Sequence, residues 1–297
     1  MEYQIEDSFI RDETVDILKG VAIFCVVLGH INPVNFVVDF IYSFHMALFM
    51  FLSGITFWFS FERKRISGEM NAKTICTYIV KRFLALIIPF LVWCEIKGNV
   101  LEHEKNILIN IQNNFDSYWF LPTLFGIILF VSFQKLFIRF CNIKPDFIFD
   151  ILVIFISGAL SFFLYKITDI KIFRQVLIYL MPFFWGVFIK KYEIFKKFCS
   201  CHFLIGFSII TYFMILPFYS VASTSRLSLI SRFFTGFLFT IIIFNYVEQN
   251  KYRININIKK YFSSTGKSSL SIYLIQEFFR NTVPIQLYGG GYGRIQY

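Results

Sequence analysis

The chain has 297 residues, of which 57% are apolar and 16% charged, with a mean hydropathy of +0.62. That is more apolar surface than one water-soluble core can hide, and it excludes a soluble enzyme, with or without a single anchor. The formal net charge of +10 does not point to nucleic acid, because Lys and Arg cluster at the ends of apolar runs and form no stripe with interleaved aromatics.

Apolar runs of about twenty residues, long enough to cross ~30 Å of hydrocarbon, predict spans near Val15–Ile31, Val37–Ser60, Thr77–Cys94, Tyr118–Ile138, Phe147–Tyr165, Val176–Ile189, His202–Tyr219, Leu229–Tyr246 and Ser268–Ile285. The expected fold is an all-α, polytopic integral membrane bundle of about nine to ten transmembrane helices. It forms a single domain over residues 1–297, with 1–14 an N-terminal segment and 286–297 a short polar tail on a last helix that ends the bundle unless the chain is truncated. If alternate connections lie on one side, that side carries about 20 Lys and Arg against about 7 on the other, which places the N-terminus in the cytoplasm. Met1 to Glu13 is largely polar or acidic and no cleavable signal is expected. The polar connection from Glu95 to Ser117 is then external, a candidate cap over the outer mouth.

Six cysteines, Cys25, Cys76, Cys94, Cys141, Cys199 and Cys201, lack the spacing of a zinc site, and no metal is expected. Gly266-Lys267-Ser268 looks like the end of a phosphate loop, but Tyr261 stands where its first glycine belongs. Gly291-Tyr292-Gly293 looks like a potassium filter without a pore helix.

Ionisable residues inside spans are costly and normally face a cavity or a partner. The first two spans hold Lys19, His30 and His45. Lys19 and His30 are eleven positions apart, which at ~100° and ~1.5 Å per residue puts both on one helix face, ~16 Å apart along the axis. A cation at one end and an imidazole at the other suit a donor with an anionic head and a long reactive arm, as in acetyl-CoA. His30 would accept a hydroxyl proton or the acyl group itself. Bland readings stand beside these: Lys19 snorkelling to the interface, His30 as a helix-end residue facing water, and His45 either approaching His30 or bonded within the bundle. Lys81 and Arg82 open the third span, as further phosphate contacts or as orientation anchors.

These residues sit in strings that resemble the acyltransferase-3 family of bacterial membrane O-acyltransferases, in particular its fucose 4-O-acetylase-like members. Asp16 through His30 is similar to the family's basic residue, ten spacers and histidine, and Tyr42 through Gly54 to its second-helix string. Lys81-Arg82 through Phe90, Tyr118-Trp119-Phe120-Leu121-Pro122, Pro182 through Gly186 and Gly266 through Leu274 follow in family order.

The resemblance implies transfer of an acyl group, usually acetyl from acetyl-CoA, to a hydroxyl of a cell-surface or exported polysaccharide at a bacterial inner membrane. It makes His30 the catalytic candidate and Lys19, Lys81 and Arg82 the donor-binding ones. His45 and Trp119 remain candidates for the sugar, Trp119 alternatively as an aromatic belt anchor. Implied partners are the sugar acceptor, membrane lipids and polysaccharide assembly proteins. Two departures stand out: Ala85 occupies the place of a second arginine, and Gln276 that of a late histidine. A transporter or flippase of a lipid-linked sugar, or an inactive relative that binds assembly proteins, remains the alternative.

Overall fold

A computed structural model describes residues 12–31, 35–66, 71–141, 147–164, 171–192, 202–218 and 226–280. The expected polar tail, Cys199 and Cys201 lie outside these residues, as do the side chains of Arg63, Lys64 and Arg65. The described residues form no strand. They form α1 (Glu13–Ile31), α2 (Asn35–Tyr42), α3 (His45–Ile66), α4 (Ala72–Lys97), α5 (Ile107–Tyr118), α6 (Phe120–Phe140), α7 (Phe147–Leu164), α8 (Lys171–Tyr192), α9 (His202–Ile215), α10 (Arg226–Asn250), α11 (Ile256–Lys267) and α12 (Ser269–Arg280). Among the described residues, four segments are long and apolar enough to cross a membrane: Val37–Phe61, Ala72–Glu102, Phe120–Ile138 and Ile172–Tyr192.

Local chemistry explains several boundaries. Asn71, Asn106 and Asn255 cap α4, α5 and α11, each side chain accepting from a backbone N–H in the first turn. Within α3, the hydroxyls of Ser53, Thr56 and Ser60 donate to the carbonyls of Phe49, Ser53 and Thr56, so polar side chains are satisfied on their own helix, as an apolar solvent requires. Phe133, Phe137, Phe155, Phe207 and Phe213 stand exposed on the outside of the bundle, where lipid would solvate them.

The Glu95 to Ser117 connection is more ordered than its polarity suggests. A π-helical turn, Gly98–Glu102, leads into α5, and Lys97 is buried, donating to the Ser117 hydroxyl with its ammonium 5.6 Å from the Tyr118 ring centroid. The last apolar run also starts earlier than its hydropathy indicates: helix begins at Ile256, not near Ser268, and Ser268 is the one residue between α11 and α12. The Asn255 cap and the Lys259-Lys260 pair lower the hydropathy of a segment that packs against α1 throughout.

Two close helix contacts set the frame. A Cβ on Gly20 would lie 2.0 Å from the Phe262 carbonyl oxygen, and one on Gly266 1.8 Å from that of Asp16, so only glycine lets α1 and α11 approach backbone to backbone. Gly54 and Gly186 do the same for α3 and α8, each facing a carbonyl oxygen of the other helix, Phe183 and Phe51. The α11–α12 segment runs parallel to α1: Lys259 reaches Glu13 at 2.7 Å near one end and Glu277 reaches His30 at 3.2 Å near the other, the same sequence offset to within one residue. Lys190 to Asp12 at 3.2 Å and the Thr14 hydroxyl to Glu248 at 2.6 Å tie the start of α1 to α8 and α10.

Candidate active site

His30 occupies the last turn of α1. Its Nε2 lies 3.2 Å from Oε1 of Glu277, and its Nδ1 3.3 Å from the Tyr42 hydroxyl. Glu277 is only 2% exposed. A carboxylate only accepts, so the neutral imidazole carries its proton on Nε2 and presents Nδ1 as the lone pair. A carboxylate so placed can fix the tautomer and compensate an imidazolium formed by protonation at Nδ1, which is what a general base at His30 would require. Tyr42 covers that lone pair, with its ring edge-on to His30.

A cavity of about 230 Å³ runs between α1, α3, α4, α6 and the α11–α12 segment. Along α3 it meets Met46, Phe49, Ser53 and Thr56; along α4, Tyr78, Arg82 and Leu86; along α6, Phe120, Leu124 and Ile128. Spacings of three and four residues put each set on one helix face, and at ~1.5 Å per residue the stripes extend ~12–15 Å. Phe57 of α3 packs on Tyr78 of α4, while Phe120 packs on Phe49 and Tyr273, so the stripes share a long axis and alternate in direction.

The two ends differ. Lys19, Arg82 and Lys267 line one, with Tyr78 and Thr56; the Arg82 guanidinium sits 5.0 Å from the Tyr78 ring centroid. Met46, Phe49, Phe120 and Tyr273 close the other. Tyr273 is buried and donates from its hydroxyl to the Ser117 carbonyl at 3.0 Å. One turn further along the same face of α12, ~6 Å on, stands Glu277, facing His30.

The sequence candidates therefore divide. Lys19 and Arg82 line the cavity and His30 stands one turn beyond its apolar end. Lys81 is exposed and outside the lining. His45 is buried with Nδ1 2.7 Å from the Ile41 carbonyl, and the Tyr42 ring lies between it and His30, 4.9 Å and 6.1 Å away by ring centroids. Trp119 stacks on Tyr179 at 5.3 Å, half-buried at the His30 end. Spacing did not single out Glu277, Tyr42 or Lys267. Glu277 carries the signal that marked Lys19, an ionisable group within an apolar run, and Tyr42 opens a family-like string. Among the described residues no group of three or more His, Cys, Asp and Glu is placed to hold a metal ion.

The described helices thus form a largely apolar bundle in which a histidine–carboxylate pair stands beyond one end of a cavity and cations line the other. Residues 12–293 match the acyltransferase-3 family, described as an acyltransferase domain, and the chain belongs to that family. It is also similar to nodulation protein NolL of Sinorhizobium fredii (strain NBRC 101917 / NGR234), with 36% identity over 97 residues, covering 29% of this chain and 24% of the relative. The chain thus spans about a quarter of that relative's length. No solved structure matches the chain.

Proposed function

We propose that the protein transfers an acetyl group from cytoplasmic acetyl-CoA to a hydroxyl of an extracytoplasmic surface or exported polysaccharide, within the inner membrane of a bacterium and with its N-terminus in the cytoplasm. The observation that carries this reading is the cavity itself. Its cationic end, at Lys19 and Arg82, and its apolar length toward His30 and Glu277 fit a donor with phosphates at one end and a thioester at the tip of a flexible arm. The bound donor supplies an activated acyl carbonyl.

The residues of the chain do the rest. Lys19 and Arg82 hold negative charge. The apolar walls exclude water from the arm. Nδ1 of His30 takes the proton of the acceptor hydroxyl as its oxygen bonds to the acyl carbon, and returns that proton to the departing sulfur. Glu277 holds the imidazolium in between. Tyr42 is the group the acceptor hydroxyl displaces from Nδ1, and Trp119 and Tyr179 offer aromatic faces at the same end of the bundle, where a sugar ring would stack.

The test is proton NMR of the host glycan for alkali-labile acetyl signals, with the wild-type gene and with His30→Ala. Loss of the signals at normal protein levels is expected. Unchanged acetylation in the variant would refute the assignment of His30.

A further inference from the structure

We infer that Lys267 is a donor-binding residue and that, with Lys19 and Arg82, it reads the phosphate nearest the pantetheine arm, so that the adenosine 3′-phosphate contributes little to donor selection. This deepens the acetyl-CoA reading and rests on it.

The first argument is placement. Lys19, Arg82 and Lys267 come from three different helices and line the same end of one cavity, and among the described residues no Asp or Glu lines it. The parallel register of α1 with α11–α12, anchored by Glu13 to Lys259 and His30 to Glu277, sets Lys267 within about two residues, or ~3 Å, of the level of Lys19. Lys267 is exposed at its outer side and so reaches the cavity from its mouth. Three cations that line one end of a cavity form a site for a multiply charged anion. Ser269, in the first turn of α12, also stands on the cavity wall.

The second argument is length. From the Lys19 level to the His30 level is eleven residues, ~16 Å. In an acyl-CoA about fourteen bonds separate the acyl carbon from the nearer phosphorus, which at ~3.5 Å per three bonds of extended chain also gives ~16 Å. An acyl carbon at His30 therefore puts the nearer phosphate among the three cations. The cavity of about 230 Å³ between packed helices takes the extended arm, and with the nearer phosphate at the cations the nucleoside falls at the mouth beyond them.

The experiment uses the full chain in nanodiscs, a hydroxyl acceptor, and four donors: acetyl-CoA, 3′-dephospho-acetyl-CoA, S-acetyl-4′-phosphopantetheine and S-acetyl-pantetheine. Removing the 3′-phosphate is expected to change kcat/KM by less than ~3-fold, whereas removing the last phosphate lowers it ~100-fold or more, mostly through KM. Lys267→Gln is expected to raise KM for acetyl-CoA ~10-fold at nearly unchanged kcat, with no effect on S-acetyl-pantetheine, and Lys267→Arg to restore most of the loss. The inference is overturned if 3′-dephospho-acetyl-CoA is as poor as S-acetyl-pantetheine, or if Lys267→Gln leaves KM for acetyl-CoA unaltered. Should no donor be consumed at all, the acetyl-CoA reading falls and takes this inference with it; consumption of acetyl-CoA with either overturning result sinks the phosphate assignment alone.

Discussion

Glu277→Gln isolates the contribution of the buried acid with almost no change in shape. The amide keeps an oxygen near Nε2 of His30 but carries no charge, so the neutral tautomer is still accommodated while the imidazolium loses its counter-charge. A hydrogen bond to a charged group contributes ~1.5–3 kcal/mol. At 3.2 Å the His30–Glu277 pair is longer than the ~2.7–2.9 Å of strong charge-assisted bonds, which puts the expected loss in the lower half of that range, ~13–45-fold in kcat. KM for acetyl-CoA should stay within ~2-fold, because the donor's charge is held ~16 Å away. The assay is steady-state transfer from labelled acetyl-CoA by purified protein, with a thermal melt to show that the variant is folded. Since Glu277 acts through His30, the double variant with His30→Ala should be no worse than His30→Ala alone. A folded Glu277→Gln protein with kcat within ~2-fold of wild type would refute this positioning role, as would additive losses in the double variant.

Glycine substitutions separate backbone contact from helix propensity: Gly20→Ala puts its methyl 2.0 Å from the Phe262 carbonyl oxygen, whereas a Cβ on Gly206 meets nothing within 4 Å. The first should lower stability by at least the ~1–3 kcal/mol of ordinary overpacking, and Gly206→Ala should raise it by up to ~1 kcal/mol, both read from melting temperature in detergent. A pH effect is expected where α10 meets the start of α1. Burial alone would raise the Glu248 carboxyl, yet hydrogen bonds from the Thr14 hydroxyl and Lys251, with Lys190 nearby, hold it below its ordinary 4.5. A group depressed in the folded state stabilises above its unfolded pKa, and that contribution disappears as pH falls through the folded value. Glu248→Gln should therefore flatten the fall in melting temperature on the acid side below about pH 4.5, and an unchanged acid profile would contradict the sign.

Lys19 and His30 were legible because both requirements, one face and one helix, are local: the angle between them follows from helix geometry, and the cost of charge in an apolar run makes them conspicuous. Glu277 meets the same cost criterion, but its pairing with His30 depends on a parallel register between the first and last helices, which no local pattern encodes. Lys267 sat in a string that failed as a phosphate loop. What brings it to the cavity that Lys19 and Arg82 also line is the close contact of Gly20 and Gly266, which sets the register of α11 against α1. Hydropathy missed α11 because its polar cap and paired lysines mask a helix that is half packed against protein. The neighbours Lys81 and Arg82 illustrate the limit of motif reading: they share a string, but ~100° of helix rotation sends one to the cavity and the other outward.

The closed end of the cavity bears on the chemistry as much as the open one. A passage lined by water from Lys19 to His30 would hydrolyse the thioester and let protons through the bilayer. The structure instead interposes Met46, Phe49, Phe120 and Tyr273 between the cavity and the His30–Glu277 pair. Tyr273 is held by the Ser117 carbonyl at the base of α5, and the same Ser117 receives Lys97 through its hydroxyl, so this seal is fastened to the ordered connection between α4 and α6. Met46, unbranched and adaptable, is the side chain of the four best suited to yield to an incoming arm. On the acetyl-CoA reading proposed above, an arm that brings its thioester to His30 has to displace part of this seal, which Tyr273 and its bond to the Ser117 carbonyl otherwise hold in place.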